Sequence, residues 1–500
     1  MKMIRAYRLF WAMLAGVASL AAQPAPLIDS NTPVDWWFVF KFNAKSFPTS
    51  CPAAQRKCPF GGTAQPYKEF SQQFAFASSA NPQLQQGGPC VGVTAADPVG
   101  ATYGQLYNGK FFYVVWNDQF YDDPMATEFA PWGHSKGMLA WDGSGNGLVM
   151  QVSTPDWPGS GSSGNPRRTI GNTLGCIAGD DDIEFSQHFF ALKLNGGDVV
   201  AVLRALANAS VVTDPKNPQI VNNGGPAAIQ SAVNALGSKS ASKQFTQAKL
   251  SSGVTLISKA SGLHVPPWQM VSSLLGGEPL RAATWWADPE IPSTTASTPV
   301  ACWDASLKHK PGAVDIAITG TWQGNAIGLE GISTPSGNHA KIGVSTGAHS
   351  YAIFGDMNQQ GSLTNCTSGQ DGRGGLFFVV DNAPLHDSVS ALIKGDSAPV
   401  VGSSGSSQTE SSPGKRIAGR MSAAGADPVA LFDQSGKQKS QFRVTEEEMR
   451  RYRDLSDYVR SGSNAAAKIC SNGTPTPPPP TCLICPAGEE ICSNVTFKGK

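Results

Sequence analysis

The chain has 500 residues, of which 15% are charged, and its formal net charge at pH 7 is +1. This near-neutral balance excludes a generally basic nucleic-acid-binding protein, so a polyanion must be bound by a local patch or at a pH at which histidines carry charge. The length exceeds one simple core and predicts two lobes.

The first residues are typical of a secretory signal peptide. Lys2, Arg5 and Arg8 form a basic head, a short apolar run follows, and small residues around Ala21 offer a cleavage point. The apolar run is too short for a comfortable membrane span, and no later stretch of about 18 apolar residues occurs. We therefore predict a signal peptide at residues 1–21 and a mature protein that is secreted or periplasmic, with no membrane partner.

Apolar and β-branched runs predict strands in both halves of the chain, at residues 36–42, 111–116, 137–141, 148–153, 314–319, 341–346, 351–354 and 376–381. The turn residues at 142–146 indicate a hairpin between two of these strands. Three segments that end at glycine are predicted helices, at residues 227–236, 266–275 and 384–394. Strands mixed with helices in both halves predict α/β lobes built on sheets.

The composition changes beyond Gly395. A Ser/Gly-rich stretch at residues 402–414 predicts a flexible surface loop, and Thr445 begins a capping box for a helix that runs to about residue 460. The proline run at 473–480 predicts a stiff linker. We therefore divide the chain into a signal peptide, an N-terminal lobe, a C-terminal lobe and a Pro-rich, cysteine-bearing tail, at residues 1–21, 22–225, 226–465 and 466–500.

Ten cysteines fit an oxidising destination. Two of them form a Cys-x-x-Cys pair at 482–485, which could be redox-active or bind zinc. The pair lies in the Pro-rich tail with no histidine nearby, so structural disulfides are favoured, and their connectivity stays open. The cysteines are Cys51, Cys58, Cys90, Cys176, Cys302, Cys366, Cys470, Cys482, Cys485 and Cys492.

A His-x-Lys triplet occurs once in each half of the chain, as His134 with Lys136 and as His339 with Lys341. Each triplet begins an apolar run that predicts a strand, and residues i and i+2 of a strand point to one face. Phosphoryl transfer needs this pairing, because one imidazole can attack phosphorus, another can protonate the leaving oxygen, and two ammonium groups can bind the other oxygens. The alternative is two unrelated surface strands that carry polar residues.

Several further segments keep a fixed order around the two motifs. In chain order the set is the strand at 33–41, Trp-Asn-Asp-Gln at 116–119, the first His-x-Lys motif at 133–137, Ser-Thr-Pro at 153–158, Gly-Asn-Thr-Leu at 171–174, the second motif at 339–341, Gly-Asp-Met-Asn at 355–358 and Arg-Gly-Gly at 373–375. Together these segments resemble the deoxyribonuclease II family of metal-independent acid endonucleases. The resemblance spans residues 33–382 and suggests an exported bacterial-type member. It implies a phospholipase D-like fold, with two pseudo-twofold-related lobes that each contain a mixed β-sheet flanked by helices.

The resemblance has limits. Animal members carry a histidine where this chain has Val152, so any role of that histidine is absent here. No aspartate follows the second motif at the spacing of Asp142, where Ser345 stands nearby. Residues beyond Asn382 inherit nothing from the family.

Three polar residues around the first motif are candidate supporting residues. Asn117 and Asp118 either support the site or simply close a strand. Asp142 either orients an imidazole or lysine, or caps the hairpin turn.

Three more candidates belong to the second half. Asp356 and Asn358 follow a strand, where loop residues commonly enter sites, and Asn358 is expected to contact phosphate or a histidine. Arg373 either binds the DNA backbone or is a solvated loop charge. The remaining histidines are interpreted as structural or surface groups: His188, His264, His309, His349 and His386.

The favoured function is hydrolysis of DNA phosphodiesters through a phosphohistidine, with His134 as nucleophile and His339 as general acid. Lys136 and Lys341 offset phosphoryl charge, so no metal or other cofactor is expected. Family resemblance implies a 3′-phosphate product, backbone contacts to the DNA substrate and an open possibility of a homodimer. The alternatives are another phospholipase D-like hydrolase of RNA or lipid, and a non-catalytic secreted binding protein, which the 12 Trp residues suggest.

Overall fold

The structure of the protein is a computed structural model. It describes residues 23–48, 73–88, 91–92, 95–108, 111–120, 129–155, 185–218, 220–286, 289–332 and 334–401, and the backbone of 428–432, 438–443 and 496–499. The predicted signal peptide, Ser/Gly-rich loop, capping-box helix, Pro-rich linker and Cys-x-x-Cys pair lie outside the described residues, as do the motif segments at 156–158 and 171–174. The chain divides into two compact units, Met1–Ala398 and Pro399–Lys500.

The first half of the chain forms an eight-stranded sheet in the order β3-β2-β1-β7-β6-β5-β4-β8. All of its neighbouring strands are antiparallel. The strands are β1 (Trp36–Lys41), β2 (Phe74–Ser78), β3 (Gln85–Gln86), β4 (Phe112–Asn117), β5 (Lys136–Trp141), β6 (Gly147–Val152), β7 (Gln187–Leu194) and β8 (Val221–Asn222).

The second half forms a seven-stranded sheet in the order β12-β11-β15-β16-β17-β10-β9 and a separate hairpin of β13 and β14. Only β11 and β12 pair in parallel. The strands are β9 (Phe245–Lys249), β10 (Thr255–Lys259), β11 (Leu280–Ala283), β12 (Val314–Ile316), β13 (Thr319–Trp322), β14 (Asn325–Gly328), β15 (Ile342–Ser345), β16 (Tyr351–Gly355) and β17 (Gly375–Asp381). Three further strands form a small sheet in the second unit: β18 (Pro428–Phe432), β19 (Gln438–Arg443) and β20 (Thr496–Gly499).

Five α-helices complete the described part of the chain: α1 (Pro98–Asn108), α2 (Gly196–Ala209), α3 (Ala227–Asn234), α4 (Pro267–Leu274) and α5 (Ala383–Leu392). The strands and helices predicted within the described residues are confirmed to within a few residues, and the architecture is α/β. The sequence analysis missed α2, whose Asn195 and Asp198 form a capping box that marks its start.

The two large sheets have the same strand order through their central parts. The strands of the first sheet, in the order β2-β1-β7-β6-β5-β4-β8, correspond one by one to the strands of the second sheet in the order β9-β10-β17-β16-β15-β11-β12. The two His-x-Lys motifs then lie at the beginning of corresponding strands, β5 and β15. The last strands differ, because β8 is antiparallel to β4 whereas β12 is parallel to β11.

Aromatic side chains join the inner faces of the two sheets. The ring of Phe354 on β16 stacks on Phe38 of β1 and Phe190 of β7, with centroids 4.4 Å and 4.6 Å apart. Residues on both faces of β1, β5 and β6 are buried, which explains their nearly continuous apolar runs. The shared core therefore fixes the two motif-bearing strands relative to each other.

Cys302 and Cys366 form a disulfide across 64 residues of sequence. This pair confirms the predicted structural role for two of the ten cysteines, and the other eight lie outside the described residues. Within the described part of the chain, every helix is too short or too polar to cross a bilayer.

Candidate active site

His134 lies in the segment that leads into β5 and is held by the second half of the chain. Its peptide N–H donates to the carbonyl of Gly374 at 2.8 Å. Its Nδ1 lies 2.7 Å from the carbonyl oxygen of Asp356. Because a carbonyl only accepts hydrogen bonds, Nδ1 carries the proton and the neutral ring keeps its lone pair on Nε2. The tautomer suits a nucleophile whose reactive nitrogen is Nε2.

His339 is held by the first half of the chain. Its peptide N–H donates to the carbonyl of Ser186 at 2.8 Å, in the segment that leads into β7. The imidazole packs edge-on against Trp285 and against Phe185, with ring centroids 4.7 Å and 5.2 Å away. Each motif histidine is thus anchored to the opposite half.

Burial lowers the pKa of both motif histidines well below its usual value. The charge of Lys136 lowers the pKa of His134, and that of Lys341 lowers the pKa of His339. Each histidine also feels the lysine of the other motif. The two triplets, distant in sequence, therefore lie close enough in the structure for each lysine to lower the pKa of the other motif's histidine.

A buried carboxylate connects two cations at this site. Asp118 accepts hydrogen bonds from Lys136 Nζ at 2.6 Å and from an Arg373 Nη at 2.7 Å. Burial acts to raise the pKa of Asp118, but the two cations outweigh it and hold the pKa below its usual value. Asp118 and Arg373 thus support Lys136, and the interpretation of Arg373 as a solvated loop charge is wrong because its side chain is buried.

Arg373 also clamps the chain just before His134. Its guanidinium donates to the carbonyls of Trp132 and Gly133, at 3.0 Å and 2.9 Å. Gly133 itself lies too close to Ala209 for a side chain, since an added Cβ would meet a carbonyl oxygen at 2.5 Å. The glycine of the motif is therefore required by backbone packing.

Asp356 joins the two halves through both its main chain and its side chain. Its carboxylate accepts hydrogen bonds from Gln151 Nε2 and the Leu376 peptide N–H, each at 3.0 Å, and from the Ser135 hydroxyl. Burial raises its pKa to about 7, against these hydrogen bonds. Sequence reasoning missed Gln151 and Ser135, whose partners lie in the other half or on another strand.

Asn117 and Asn358 have local partners. The side-chain oxygen of Asn117 accepts from the Gln119 peptide N–H at 2.8 Å, and Asn117 faces Lys136 across the β4–β5 ladder. The amide of Asn358 donates to Gln360 at 3.3 Å. Among the described residues, the buried side-chain oxygen of Asn358 has no hydrogen-bond donor.

Asp142 does not lie near the motif histidines. Its carboxylate accepts from the peptide N–H groups of Ser144 and Asn146, at 2.8 Å and 3.1 Å, in the turn between β5 and β6. The whole of β5 separates it from Lys136, a distance of roughly 17–20 Å for an extended strand of this length. Of the two interpretations of Asp142, these contacts support the capping of the hairpin turn and not the orienting of an imidazole or lysine.

Two buried lysines at corresponding strand ends also escaped the sequence analysis. Lys41 ends β1 and donates to the carbonyl of Phe185 at 2.6 Å. Lys259 ends β10 and donates to the carbonyls of Asp371 and Arg373, each at 2.8 Å. Burial lowers the pKa of Lys259 to about 7. Each lysine binds the segment that contacts one motif histidine. In the sequence, such a residue can be recognised as a lysine at the end of a strongly apolar run.

His188 connects β7 to the second motif. Its Nδ1 accepts a hydrogen bond from the peptide N–H of Lys341 at 3.2 Å. Burial and the charge of Lys341 lower its pKa well below the usual value. The interpretation of His188 as a structural residue fits these contacts. Within the described residues, no group of three or more His, Cys, Asp or Glu side chains is arranged to hold a metal ion.

Comparison with known proteins agrees with the resemblance drawn from the motifs. The family model described as Deoxyribonuclease II matches residues 26–396. Deoxyribonuclease-2-alpha of Rattus norvegicus is 29% identical over 168 residues, which cover 32% of this chain and 41% of that relative. The family model spans both His-x-Lys motifs and the two large sheets, so this chain belongs to the deoxyribonuclease II family.

Proposed function

We propose that the protein is a metal-independent acid endonuclease that hydrolyses DNA phosphodiester bonds through a phosphohistidine and leaves 3′-phosphate ends. The observation that carries the proposal is the convergence of the two His-x-Lys motifs, because each histidine feels the charge of the other motif's lysine. Family membership supports a nuclease rather than a binding protein.

In the first step, Nε2 of neutral His134 attacks phosphorus and the bond from phosphorus to the 5′ oxygen breaks. Protonated His339 donates its proton to that departing oxygen. In the second step, neutral His339 takes a proton from water, the oxygen attacks phosphorus, and the bond from phosphorus to Nε2 breaks. The Asp356 carbonyl supports this assignment, because it holds the proton of His134 on Nδ1.

Lys136 and Lys341 offset the charge on the non-bridging oxygens. Both side chains are buried, so their charge acts in a medium of low dielectric. One of the three N–H groups of the Lys136 ammonium donates to Asp118, and the other two can donate to phosphoryl oxygens. These fixed charges take the place that a divalent cation has in many nucleases.

The proposed fold is phospholipase D-like, with pseudo-twofold lobes at residues 22–225 and 226–465 and a tail at 466–500. The matching strand order of the two large sheets supports it. We further propose export by a signal peptide to the cell exterior or periplasm, which the disulfide of Cys302 and Cys366 supports, since disulfides persist in oxidising compartments. A homodimer stays a prediction.

A nicking assay on supercoiled plasmid tests the function directly. In a series of buffers that extends well below the usual histidine pKa of about 6.5, because the pKa of both motif histidines is lowered, the purified protein should relax and then linearise plasmid DNA. Parallel reactions with RNA and with phosphatidylcholine vesicles separate the other phospholipase D-like activities. Binding of DNA without cleavage would instead indicate a binding protein.

We expect the cleavage rate to stay unchanged in excess EDTA. The two motif lysines supply the positive charge that stabilises the phosphoryl oxygens, so chelation should remove nothing that the reaction needs. A Mg²⁺-dependent nuclease assayed at its own pH serves as the control for chelation. Loss of activity that Mg²⁺ or Zn²⁺ restores would contradict the mechanism.

We expect kcat/KM for DNA to fall with rising pH from a point well below pH 6.5. Burial and the lysines lower the pKa of His339, so its acid form is lost as the pH rises through that lowered value. Above it, each pH unit should reduce kcat/KM about tenfold. A bound phosphodiester is anionic and favours the protonated form of His339. The fall in kcat should therefore occur at a higher pH than the fall in kcat/KM. A kcat/KM optimum above about pH 7 would contradict this assignment.

A further inference from the structure

Two buried lysines occupy corresponding positions in the two large sheets. Lys41 is the last residue of β1 and Lys259 is the last residue of β10, and these strands correspond in the matching strand order. The registers also agree. Lys41 pairs with Gln187, the first residue of β7, and Lys259 pairs with Gly375, the first residue of β17. Neither lysine takes part in the steps of the proposed reaction.

Each ammonium group binds the segment that leads into the neighbouring strand. Lys41 Nζ donates to the carbonyl of Phe185 at 2.6 Å, and Lys259 Nζ donates to the carbonyl of Arg373 at 2.8 Å. Phe185 and Arg373 each stand two residues before their strand, beyond the last pair of the ladder. The lysine side chain therefore continues the hydrogen bonding of the sheet where the backbone ladder has ended.

The next residue along each segment holds a motif histidine. The carbonyl of Ser186 accepts from the peptide N–H of His339 at 2.8 Å. The carbonyl of Gly374 accepts from the peptide N–H of His134, also at 2.8 Å. The same series of contacts, from a lysine through a segment to a histidine, thus occurs twice, and each series crosses from one half of the protein to the other.

The side chains of the bound segments reach the same histidines. The ring of Phe185 packs against the imidazole of His339, with centroids 5.2 Å apart. The guanidinium of Arg373 donates to the carbonyl of Gly133, directly before His134. A shift of either segment would therefore move a motif histidine through two contacts at once.

The burial of these lysines is costly. Lys41 is 2% exposed and Lys259 is 0% exposed. Burying an ammonium group costs free energy even where its N–H groups are bonded, and an apolar residue could end the same strand without that cost. The same costly residue at two corresponding positions, each beside the anchor of a motif histidine, indicates a role beyond the stability of the fold.

We propose that Lys41 and Lys259 are positioning residues of the nuclease reaction, Lys41 for His339 and Lys259 for His134, each acting through the carbonyl that it binds. The inference rests on the proposed function and adds two residues to it. A displacement of about 1 Å can slow a reaction by about a hundredfold. Loss of either ammonium group should therefore slow the step that its own histidine performs and leave DNA binding nearly unchanged.

Lys41→Met and Lys259→Met remove the ammonium group and keep the length of the side chain. Lys249→Met is the matched control, because Lys249 also ends a strand, β9, but is exposed. We expect each buried substitution to lower kcat for DNA roughly ten- to a hundredfold, with KM little changed, and the control to match the wild-type protein. Thermal melting identifies the temperature at which every variant is folded.

A substrate with a better leaving group separates the two lysines. In a DNA duplex with sulfur in place of one 5′ bridging oxygen, the bond from phosphorus to sulfur breaks and thiolate departs without a proton from the enzyme. Attack by His134 is still needed, so Lys259→Met should cleave the sulfur linkage as slowly, relative to wild type, as it cleaves normal DNA. Lys41→Met should cleave the sulfur linkage at nearly the wild-type rate in a single turnover, because the acid is no longer needed.

The outcomes separate the two claims. If the wild-type protein cleaves neither linkage, the proposed function fails. If it cleaves and both folded Met variants match its kcat, the positioning role is overturned while the nuclease function stands. Equal losses at both linkages for both variants would overturn the pairing of each lysine with one histidine. The reverse pattern would keep the pairing and identify His339 as the nucleophile.

A second substitution covers a variant that does not fold. Lys41→Gln or Lys259→Gln retains an N–H donor and should show the same pattern with a smaller loss of kcat. If the Met and Gln variants of one lysine both fail to fold, that lysine serves the stability of the fold, and its positioning role is overturned.

Discussion

Replacing either His134 or His339 by alanine should lower the rate of DNA cleavage by about three orders of magnitude or more. In the proposed mechanism the two imidazoles perform different steps of one reaction, so neither can substitute for the other. The double variant should be little slower than either single variant, because residues that act as a unit are not additive. His309→Ala, at an exposed histidine outside the site, is the control and should retain wild-type activity.

Rapid quenching should trap a phosphoryl group on a single histidine. The Nδ1 contact with the Asp356 carbonyl predicts His134 as that residue. A phosphoryl group trapped on His339 would identify His339 as the nucleophile instead of His134. The model of one shared active site would still hold. If there were two independent sites, each single variant would retain about half of the wild-type rate. That result would contradict the two-histidine mechanism. Thermal melting verifies that both variants are folded.

Asp118→Ala should destabilise the protein by about 3–5 kcal/mol and nearly abolish cleavage. Asp118 is fully buried between Lys136 and Arg373, so its removal leaves two buried cations without their shared anion. Asp118→Asn retains the shape and one acceptor oxygen and should cost less stability. The measurements are urea unfolding and cleavage rate at a pH where each variant is folded.

Asp142→Ala is the matched control for this prediction. Asp142 also follows a strand and was a candidate with two interpretations, and its contacts show that it caps a turn at the far end of β5. We expect a stability loss of about 1 kcal/mol and an unchanged cleavage rate. A large rate loss at Asp142, or full activity and wild-type stability for Asp118→Ala, would contradict the site geometry described above.

The sequence by itself determined the local features of this protein. Strands such as β1, β5 and β6 are buried on both faces, and burial on both faces demands an apolar run that is visible without any partner. The two His-x-Lys triplets are equally local, because each can be read from three successive residues, but both histidines lie just before their strands rather than on them. The ordered motifs then sufficed to predict the family that the comparison confirmed.

Only the tertiary structure decided how these parts meet. Arg373 reaches Asp118 across 255 residues of sequence, and the Asp356 carbonyl reaches His134 across 222. Such contacts depend on the packing of the two sheets, and no local periodicity encodes that packing. The same reason explains why Asp142, beside the motif in sequence, lies in a distant turn, while the buried Lys259 gains its hydrogen-bond partners only when the chain folds.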